Sequence, residues 1–585
     1  MAFLGSILLW ASFPPSDWWP LAWIAPIPWV MLIGRKKLDC WRPYTVLGLA
    51  GFVFWMGVLH FLRLPHWATS FGWVALSFYF AFYLPVFVGL SRVAVHRFRV
   101  PVILAAPIVW TGLELARGHL LTGMSMACLG HTQYRWIELI QVSDVAGAYS
   151  VSFVVMFVVA SLAAIFPSDR SLPNVPSLQR GGRIRQILSA LWPLLPAAAV
   201  LAAVLLYGQH RIQMNSSSGG PRIALIQGSI NVELFDDPDP DTMNRMVKER
   251  KESIFREYRQ LSDDAIRNGR RIDLLVWPES MFPEGLLTFD PKVAKPSWFK
   301  GSEDDFGKSL KKSAESGPAD MAELAQHLGV PLLLGSNREH FGVDGEKCYT
   351  SAVYVDRDGE IVGRYDKVHL VPFGEYMPFL EYAPWLHHLT PLTGSATPGD
   401  GPVAFDLEFP GSRASRPPVE GKTSDSPNDL RAGRPRSSVR IAPNICYESV
   451  LSHVIRGQVN ALAAEGREPD ILVNLTNDGW FWGSSELDLH LMCGVFRAVE
   501  CRKPFLIAAN TGFSAWIDSD GRIRQQGPRR KTGVIIAEPR LDRDRRSWYL
   551  EHGDWFAGLC LAGCVLFAVV GLYGRIRFRR LLLNP

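Results

Sequence analysis

Seven apolar stretches ahead of residue 208, and an eighth near the C-terminus, constrain this 585-residue chain more than any other feature. They run over 2–14, 19–33, 44–62, 70–92, 101–116, 144–166 and 187–207, and then over 555–574. The seventh, ILSALWPLLPAAAVLAAVLLY, carries no charge and reaches the roughly 20 residues that a helix needs to cross hydrocarbon. Backbone inside a bilayer must satisfy its own hydrogen bonds, so these stretches predict an α-helical transmembrane bundle of about eight spans. The first two are short and separated by PPSDWWP, which allows either two spans or one re-entrant hairpin. Residues 1–15 have the length of a signal peptide but lack a basic start and a clear small-residue cleavage site. An apolar content of 48% with 20 tryptophans agrees with a chain partly in lipid.

Basic clusters orient the bundle. GRKKLDCWR (34–42), SRVAVHRFR (91–99), DRSLPNVPSLQRGGRIR (169–185) and RIRFRR (575–580) fall on one side if there are eight spans, and the positive-inside rule makes that side cytoplasmic. The segment between spans seven and eight then faces outward, into the periplasm where there is an outer membrane. With a net charge of only +5 and no broad basic face, these residues read as topology signals, and nucleic acid is not an expected partner. In WTGLELARGHLLTG (110–123), Glu114 and Arg117 are three apart on one helix side. They suit a paired charge at the membrane interface, a headgroup contact, or a dock for the outer domain. TGMSMACLGHTQYRW (122–136) is expected as a loop on the outer membrane face.

The chain divides into a bundle over 1–207, a soluble unit over 221–545 and a final membrane helix over 553–575. In the soluble unit, RIALIQG (222–228) is a buried strand and 242–266 has helical spacing. LLVWP, a helix near 319–328, VPLLLGS (330–336) and a hairpin turning on Asp358 and Gly359 follow. Farther on, VRIAP (439–443), DILVNLTNDGW (470–480), a helix over 485–502, PFLIAANTG (504–512), a second hairpin at Asp520 and Gly521, and GVIIAEP (533–539) complete an α/β pattern. Residues 408–438, rich in Ser, Pro, Arg and Gly, have almost nothing to bury and read as a disordered insertion. Their arginines suit a phosphate headgroup.

Three polar residues stand at predicted strand ends. Cys446 in NICYESV lies between the VRIAP strand and a helical pattern, a corner whose helix N-terminus favours a thiolate. Glu279 ends LLVWPES, and Lys367 follows the hairpin strand IVGRY. A carboxylate to take the thiol proton, a thiol to attack a carbonyl carbon and an ammonium to steady the oxyanion are the parts of acyl transfer through a thioester. Cys493 and Cys501 are eight apart on one predicted helix, about 12 Å along its axis, beyond disulfide reach. No His and Cys set has zinc spacing, so neither a metal nor another cofactor is expected.

The order WPES, DKVHLVPFGEYMP and CYES resembles the nitrilase superfamily, and PFGEY joined to a many-spanning region is similar to the bacterial apolipoprotein N-acyltransferases. The resemblance implies a four-layer α-β-β-α sandwich and a Glu279, Lys367, Cys446 triad. It also implies that Glu375 holds Lys367 charged and that the backbone N–H of Tyr447 donates to the oxyanion. Glu448 either orients Cys446 or serves the helix start. NDGWFWGSS (477–485) is similar to the family's Asn-Asp-x-Trp-Phe loop, with Trp480 and Phe481 walling an acyl pocket, and NTG (510–512) also fits. Two departures occur: Phe235 stands where the family has a tryptophan, and Met124, Ser125 and Met126 replace an aromatic after Thr122 and Gly123.

The expected activity follows. Cys446 takes a fatty acyl chain from a phospholipid as a thioester and yields it to the α-amino group of an S-diacylglyceryl cysteine at the N-terminus of an apolipoprotein. The enzyme is then a multi-pass inner-membrane protein with its catalytic domain on the periplasmic side. A membrane-anchored amidase or nitrilase with water as acceptor is the alternative, and a noncatalytic membrane scaffold is a third.

Overall fold

The computed structural model describes the chain except for residues 167–191, 215–217, 232–238, 268, 270, 378–394, 411–435 and 584–585. Phe235 and most of the expected insertion lie outside the described residues.

Two sheets form the centre of the soluble unit. One holds the strands Gly533–Ala537, Ile223–Gln227, Leu274–Trp277, Leu332–Gly342, Gly345–Val355 and Ile361–Asp366 in that order, with Leu286–Phe289 on the fourth. The other runs Ile523–Gln526, Ala515–Ile517, Phe505–Ala509, Ile471–Thr476, Arg436–Ile445, Phe405–Pro410. Side chains alternate along a strand, so a strand buried on both faces divides its residues between two cores. In the Ile471–Thr476 strand, Ile471, Val473 and Leu475 join Ile223, Val276 and Leu506 between the sheets, while Leu472 packs outward with Val459, Leu462 and Val495 of two helices. On the far side, Tyr258, Ala265, Met321 and Leu324 of the helices Pro240–Arg267 and Glu303–Leu328 cover Ala224, Leu275 and Leu332. The layers are therefore α-β-β-α, as the resemblance implied.

Two local readings change. The helix expected near 319–328 starts at Glu303, where Ser302 and Asp305 form a reciprocal capping box. Gly317 and Pro318 inside it hide its first half from a periodicity reading. Three residues at each end of the 408–438 stretch are strand, because Phe405–Pro410 pairs antiparallel with Arg436–Ile445 and sets Pro410 opposite Arg436.

Among the described residues, three helices are long and apolar enough to cross a membrane: Thr69–Phe98, Leu194–Gln213 and Trp555–Tyr573. The count is four if the pair Ile137–Ala146 and Ala148–Ala163, bent by 120°, makes one. The count of eight is not reached by length and composition. Ala2–Ala11, Trp19–Gly34 and Pro43–Val58 are short apolar helices, and Gly147, at φ +72°, breaks the 144–166 stretch. Val102–His119 is helical across Pro107. It packs so closely on the last helix that a Cβ at Gly112 would lie 2.7 Å from Cys564 Sγ.

Glu114 and Arg117 are corrected too. Both are buried and bond elsewhere: Glu114 Oε1 accepts from Trp110 Nε1 (2.9 Å) and Leu129 N (2.7 Å), and Arg117 donates to the Met126 carbonyl (2.7 Å) over the Trp55 ring. Residues 124–134 are buried as well, not spread on a membrane face. They lie between bundle and sandwich, where the rings of His131 and Phe496 are 4.9 Å apart. Nearby, Arg502, with no exposed surface, donates to Asp144 (2.6 Å) and Gln141 (2.6 Å), and Arg211 shares Asp144 (2.8 Å). A buried polar network of this kind holds only when every member is paired.

Candidate active site

Parallel strands put their carboxyl ends on one edge, where turns can hold side chains without breaking the ladder. Leu274–Trp277 leads to Glu279, Arg436–Ile445 to Cys446 and Ile471–Thr476 to Asn477; the antiparallel Ile361–Asp366 strand delivers Lys367.

Lys367 is 1% exposed, so its ammonium must be matched by nearby anions. Its Nζ donates to Glu375 Oε1 at 2.7 Å and lies 3.5 Å from Glu279 Oε1. Burial works against the charge, but the carboxylates of Glu279 and Glu375 hold the lysine well above its ordinary range. Glu375 is held in turn by the Val371 N–H at 2.8 Å, and Glu279 Oε2 accepts from the Asn477 N–H at 3.0 Å. Burial raises the Glu279 carboxyl despite Lys367, which makes it a stronger base than a free glutamate.

Cys446 is part-exposed and opens a 3₁₀ turn over Cys446–Val450. Its backbone is left-handed, at φ +51°, a conformation that a non-glycine residue keeps only when its surroundings fix it. The expected thiolate is overturned. Burial and the negative field of Glu279 push the thiol well above its ordinary value, and Lys367 only partly opposes them. Removal from water therefore weighs toward the neutral thiol, against the expectation of a thiolate at the turn start. All eight cysteines are free, and Cys493 and Cys501 are packed thiols.

Glu448 joins the pieces. Fully buried, it accepts from Tyr365 Oη on both oxygens (2.7 and 2.8 Å), from Val368 N (2.9 Å) and His369 N (3.0 Å) on Oε1, and from Ile445 N (2.7 Å) on Oε2. One carboxyl thus serves the turn start, one of the two roles expected for it, and also the loop after Lys367. Tyr447 reaches the bundle: its hydroxyl donates to the Gly123 carbonyl at 3.0 Å. Phe481 meets Phe61 edge-on at 5.3 Å, and Trp480 lies in the same short turn, Asp478–Phe481. Asn510 of NTG donates to Asn477 Oδ1 at 3.0 Å and supports that turn from behind.

A cavity of about 60 Å³ lies inside the bundle among Trp29, Trp55, Trp110, Glu114 and Arg117; none of Glu279, Lys367 and Cys446 lines it. One cluster of metal-ligand chemistry occurs among the described residues, Asp478, Glu486 and His490, with donor atoms within 4.8 Å of one another. Both nitrogens of His490 are already engaged, Nδ1 by Asp478 Oδ1 (3.2 Å) and Nε2 by Ser449 Oγ (2.7 Å). His490 and Asp478 thus belong to an internal hydrogen-bonded network, with Glu486 Oε1 3.9 Å away. A signal is there in the sequence, Glu486 and His490 four apart on one helix face, a short way after Asp478.

Comparison with known proteins agrees with the two halves of the chain. Residues 5–161 match the family described as apolipoprotein N-acyltransferase N-terminal domain, and residues 222–547 match carbon-nitrogen hydrolase. The apolipoprotein N-acyltransferase of Rhodopirellula baltica is 30% identical over 95% of this chain and 93% of its own length. That of Geobacter metallireducens is 32% identical over 97% and 94%. Nit3 of Saccharomyces cerevisiae, a nitrilase-superfamily member of known structure, covers 57% of this chain and 94% of its own at 14% identity, with a TM-score of 0.34 that carries no argument. A family match across the sandwich, joined to relatives alike from end to end, places this chain in the apolipoprotein N-acyltransferase family, whose members are acyltransferases of lipoprotein maturation built on a carbon-nitrogen hydrolase domain.

Proposed function

We propose that the protein transfers a fatty acyl chain from a phospholipid, through a thioester on Cys446, to the α-amino group of the N-terminal S-diacylglyceryl cysteine of an apolipoprotein. The observation that carries this is the meeting of Lys367 Nζ with Glu279 at 3.5 Å and Glu375 at 2.7 Å, in a group whose fields reach the Cys446 sulfur. Glu279 takes the thiol proton as sulfur attacks the ester carbonyl, and Lys367 with the Tyr447 N–H steadies the oxyanion. The ester C–O bond breaks, and the proton passes from Glu279 to the departing lysophospholipid oxygen. In the second half the neutral amine attacks the thioester, Glu279 takes the amine proton, and the C–S bond breaks to return the thiol. Glu375 holds the lysine, and Glu448 sets the turn against its loop.

A donor with long chains is drawn from the bilayer only at about 0.8 kcal/mol per exposed CH₂, so the sulfur must wait at the surface. Segments bordering the site expose apolar side chains suited to this: Leu120 and Leu121 from the bundle, Val368 and Phe373 after Lys367, and Trp482. Trp480 and Phe481 wall the chain. In this reading 1–207 forms the bundle, 221–545 the catalytic domain and 553–575 the last span, in the inner membrane, with the sandwich on the periplasmic side, opposite the basic clusters if the chain crosses eight times. Purified protein given a labelled phospholipid should accumulate a hydroxylamine-sensitive acyl-enzyme that Cys446→Ser lacks, and a diacylated cysteinyl peptide should discharge it. Normal labelling of the serine variant refutes the assignment, and discharge by water alone would mark a hydrolase.

A further inference from the structure

Fifteen of the sixteen residues of the Glu486–Cys501 helix are buried, Glu486, His490, Arg497 and Glu500 among them. Polar groups placed so deeply have to be bonded, and two of them bond toward the nucleophile. His490 and Arg497 are seven apart, two helical turns, and so share a face. Arg497 donates to the Val450 carbonyl at 3.1 Å, and His490 Nε2 lies 2.7 Å from Ser449 Oγ. Val450 and Ser449 belong to the turn that begins with Cys446.

That turn has a specific need. The left-handed backbone of Cys446 has to be held, and its carbonyl is held twice, by Ser449 Oγ at 3.0 Å and by Asn474 Nδ2 at 3.1 Å. A hydroxyl has one hydrogen. If Ser449 gives it to the Cys446 carbonyl, His490 Nε2 must donate to Ser449 Oγ, while Nδ1 donates to Asp478 Oδ1 at 3.2 Å. All the bonds are made together only when both ring nitrogens carry protons, beside the Asp478 carboxylate.

Asp478 has its own connection to the chemistry. It also accepts from Thr476 Oγ1 at 2.8 Å, and the residue before it, Asn477, gives its N–H to Glu279 Oε2 at 3.0 Å. One imidazole therefore spans from the loop that holds the base to the turn that holds the sulfur. Glu486 adds little charge here: burial and Asp478 push its carboxyl well above the ordinary value, and its Oε1 stays 3.9 Å from His490.

We infer that His490 is a positioning residue for acyl transfer, acting with Asp478 and Ser449 as a hydrogen-bonded strut that fixes the Cys446 carbonyl and keeps the sulfur in register with Glu279. The inference rests on Cys446 being the nucleophile. The measurement is single-turnover formation of the acyl-enzyme from a defined phosphatidylethanolamine in detergent micelles, on the full chain, across donor concentrations. His490→Leu, which fills the space without hydrogen bonds, should lower the acylation rate constant about tenfold to hundredfold and leave half-saturation by the donor within about twofold. His490→Gln, which restores a donor toward Ser449, should recover part of the loss. Ser449→Ala, a smaller change on the same strut, should act like His490→Leu, and the double variant should be no slower than the worse single one, because residues of one chain are not additive. Acylation by both single variants within about twofold of the parent, or losses that multiply in the double variant, would overturn the inference. Cys446→Ser, run alongside, separates the two claims. If it still forms a thioester-like adduct, the nucleophile is misassigned; if it does not while His490→Leu and Ser449→Ala behave as the parent, only the strut fails.

Discussion

Replacing Glu448 by glutamine changes one oxygen for an NH₂ and leaves shape and volume almost untouched. Its consequences can be counted. The carboxyl receives two contacts from Tyr365 Oη and three from the backbone N–H groups of Val368, His369 and Ile445. An amide can keep its oxygen toward Val368 and His369, but its nitrogen then faces the Ile445 N–H, donor against donor, in a place without water. A buried donor left unpaired costs about 1–3 kcal/mol, and the remaining bonds lose their ionic reinforcement, so about 2–3 kcal/mol is expected in all. Because Ile445 precedes the sulfur and Val368 follows Lys367, this loss falls on the relative placement of thiol and ammonium. Acyl-enzyme formation should slow by about 30-fold to 150-fold, with a lower midpoint in thermal unfolding of the detergent-solubilised protein. Glu448→Asp keeps the charge but is one CH₂ short, and should fall between parent and glutamine variant. If Glu448→Gln acylates within threefold of the parent and melts at the same temperature, the carboxyl does not join the two segments and the counting is wrong.

Other outcomes follow from the same geometry. Glu279→Gln should act in opposite directions in two assays. It removes a negative field that holds the Cys446 thiol up, so iodoacetamide should label Cys446 faster at fixed pH, while acyl transfer falls by about a hundredfold or more with the base gone; slower alkylation contradicts the electrostatics. In the parent protein the thiolate is the reactive form and its pKa is raised, so alkylation of Cys446 should keep climbing as pH rises through 9, and a plateau near neutrality refutes the neutral thiol. Arg502→Met strips Asp144 of its fully buried partner but leaves it Arg211, so the loss should sit near the lower end for a broken buried pair, about 3 kcal/mol. It should appear as a lower thermal midpoint and faster proteolysis between bundle and sandwich, and an unchanged midpoint would mean that the network is not holding the two together.

The carboxyl ends of the strands were legible because a short β-branched run followed by a polar residue has few other readings, and Glu279, Lys367 and Cys446 each stand there. What lay beyond local pattern was the third dimension. Cys446 sits where a helix start favours a thiolate, yet the charge state follows from burial by residues far away in sequence. Glu114 and Arg117 suited an ion pair by spacing alone, but Leu129 and Met126, folded in from the next segment, took them as separate partners. The 122–136 stretch has the polarity of a surface loop, and residues 124–134 become interior because helices of the bundle and the sandwich close on them from both sides. His490 shows the same gap: its spacing from Arg497 was readable, whereas its partners Ser449 and Asp478 come from two different strand ends. In the bundle, short helices and the bend at Gly147 divide apolar stretches that look continuous when only letters are counted.

The bond from the Tyr447 hydroxyl to the Gly123 carbonyl makes the neighbour of the Cys446 sulfur an anchor point on the helical bundle. Rocking or lifting the sandwich on its base pulls on this contact, one residue from Cys446, as well as on the buried Arg502 and Asp144 network. A shift of the bundle at Gly123 therefore reaches the Cys446 turn over a single residue, so the sandwich is tied to its base beside the sulfur as well as at its rim.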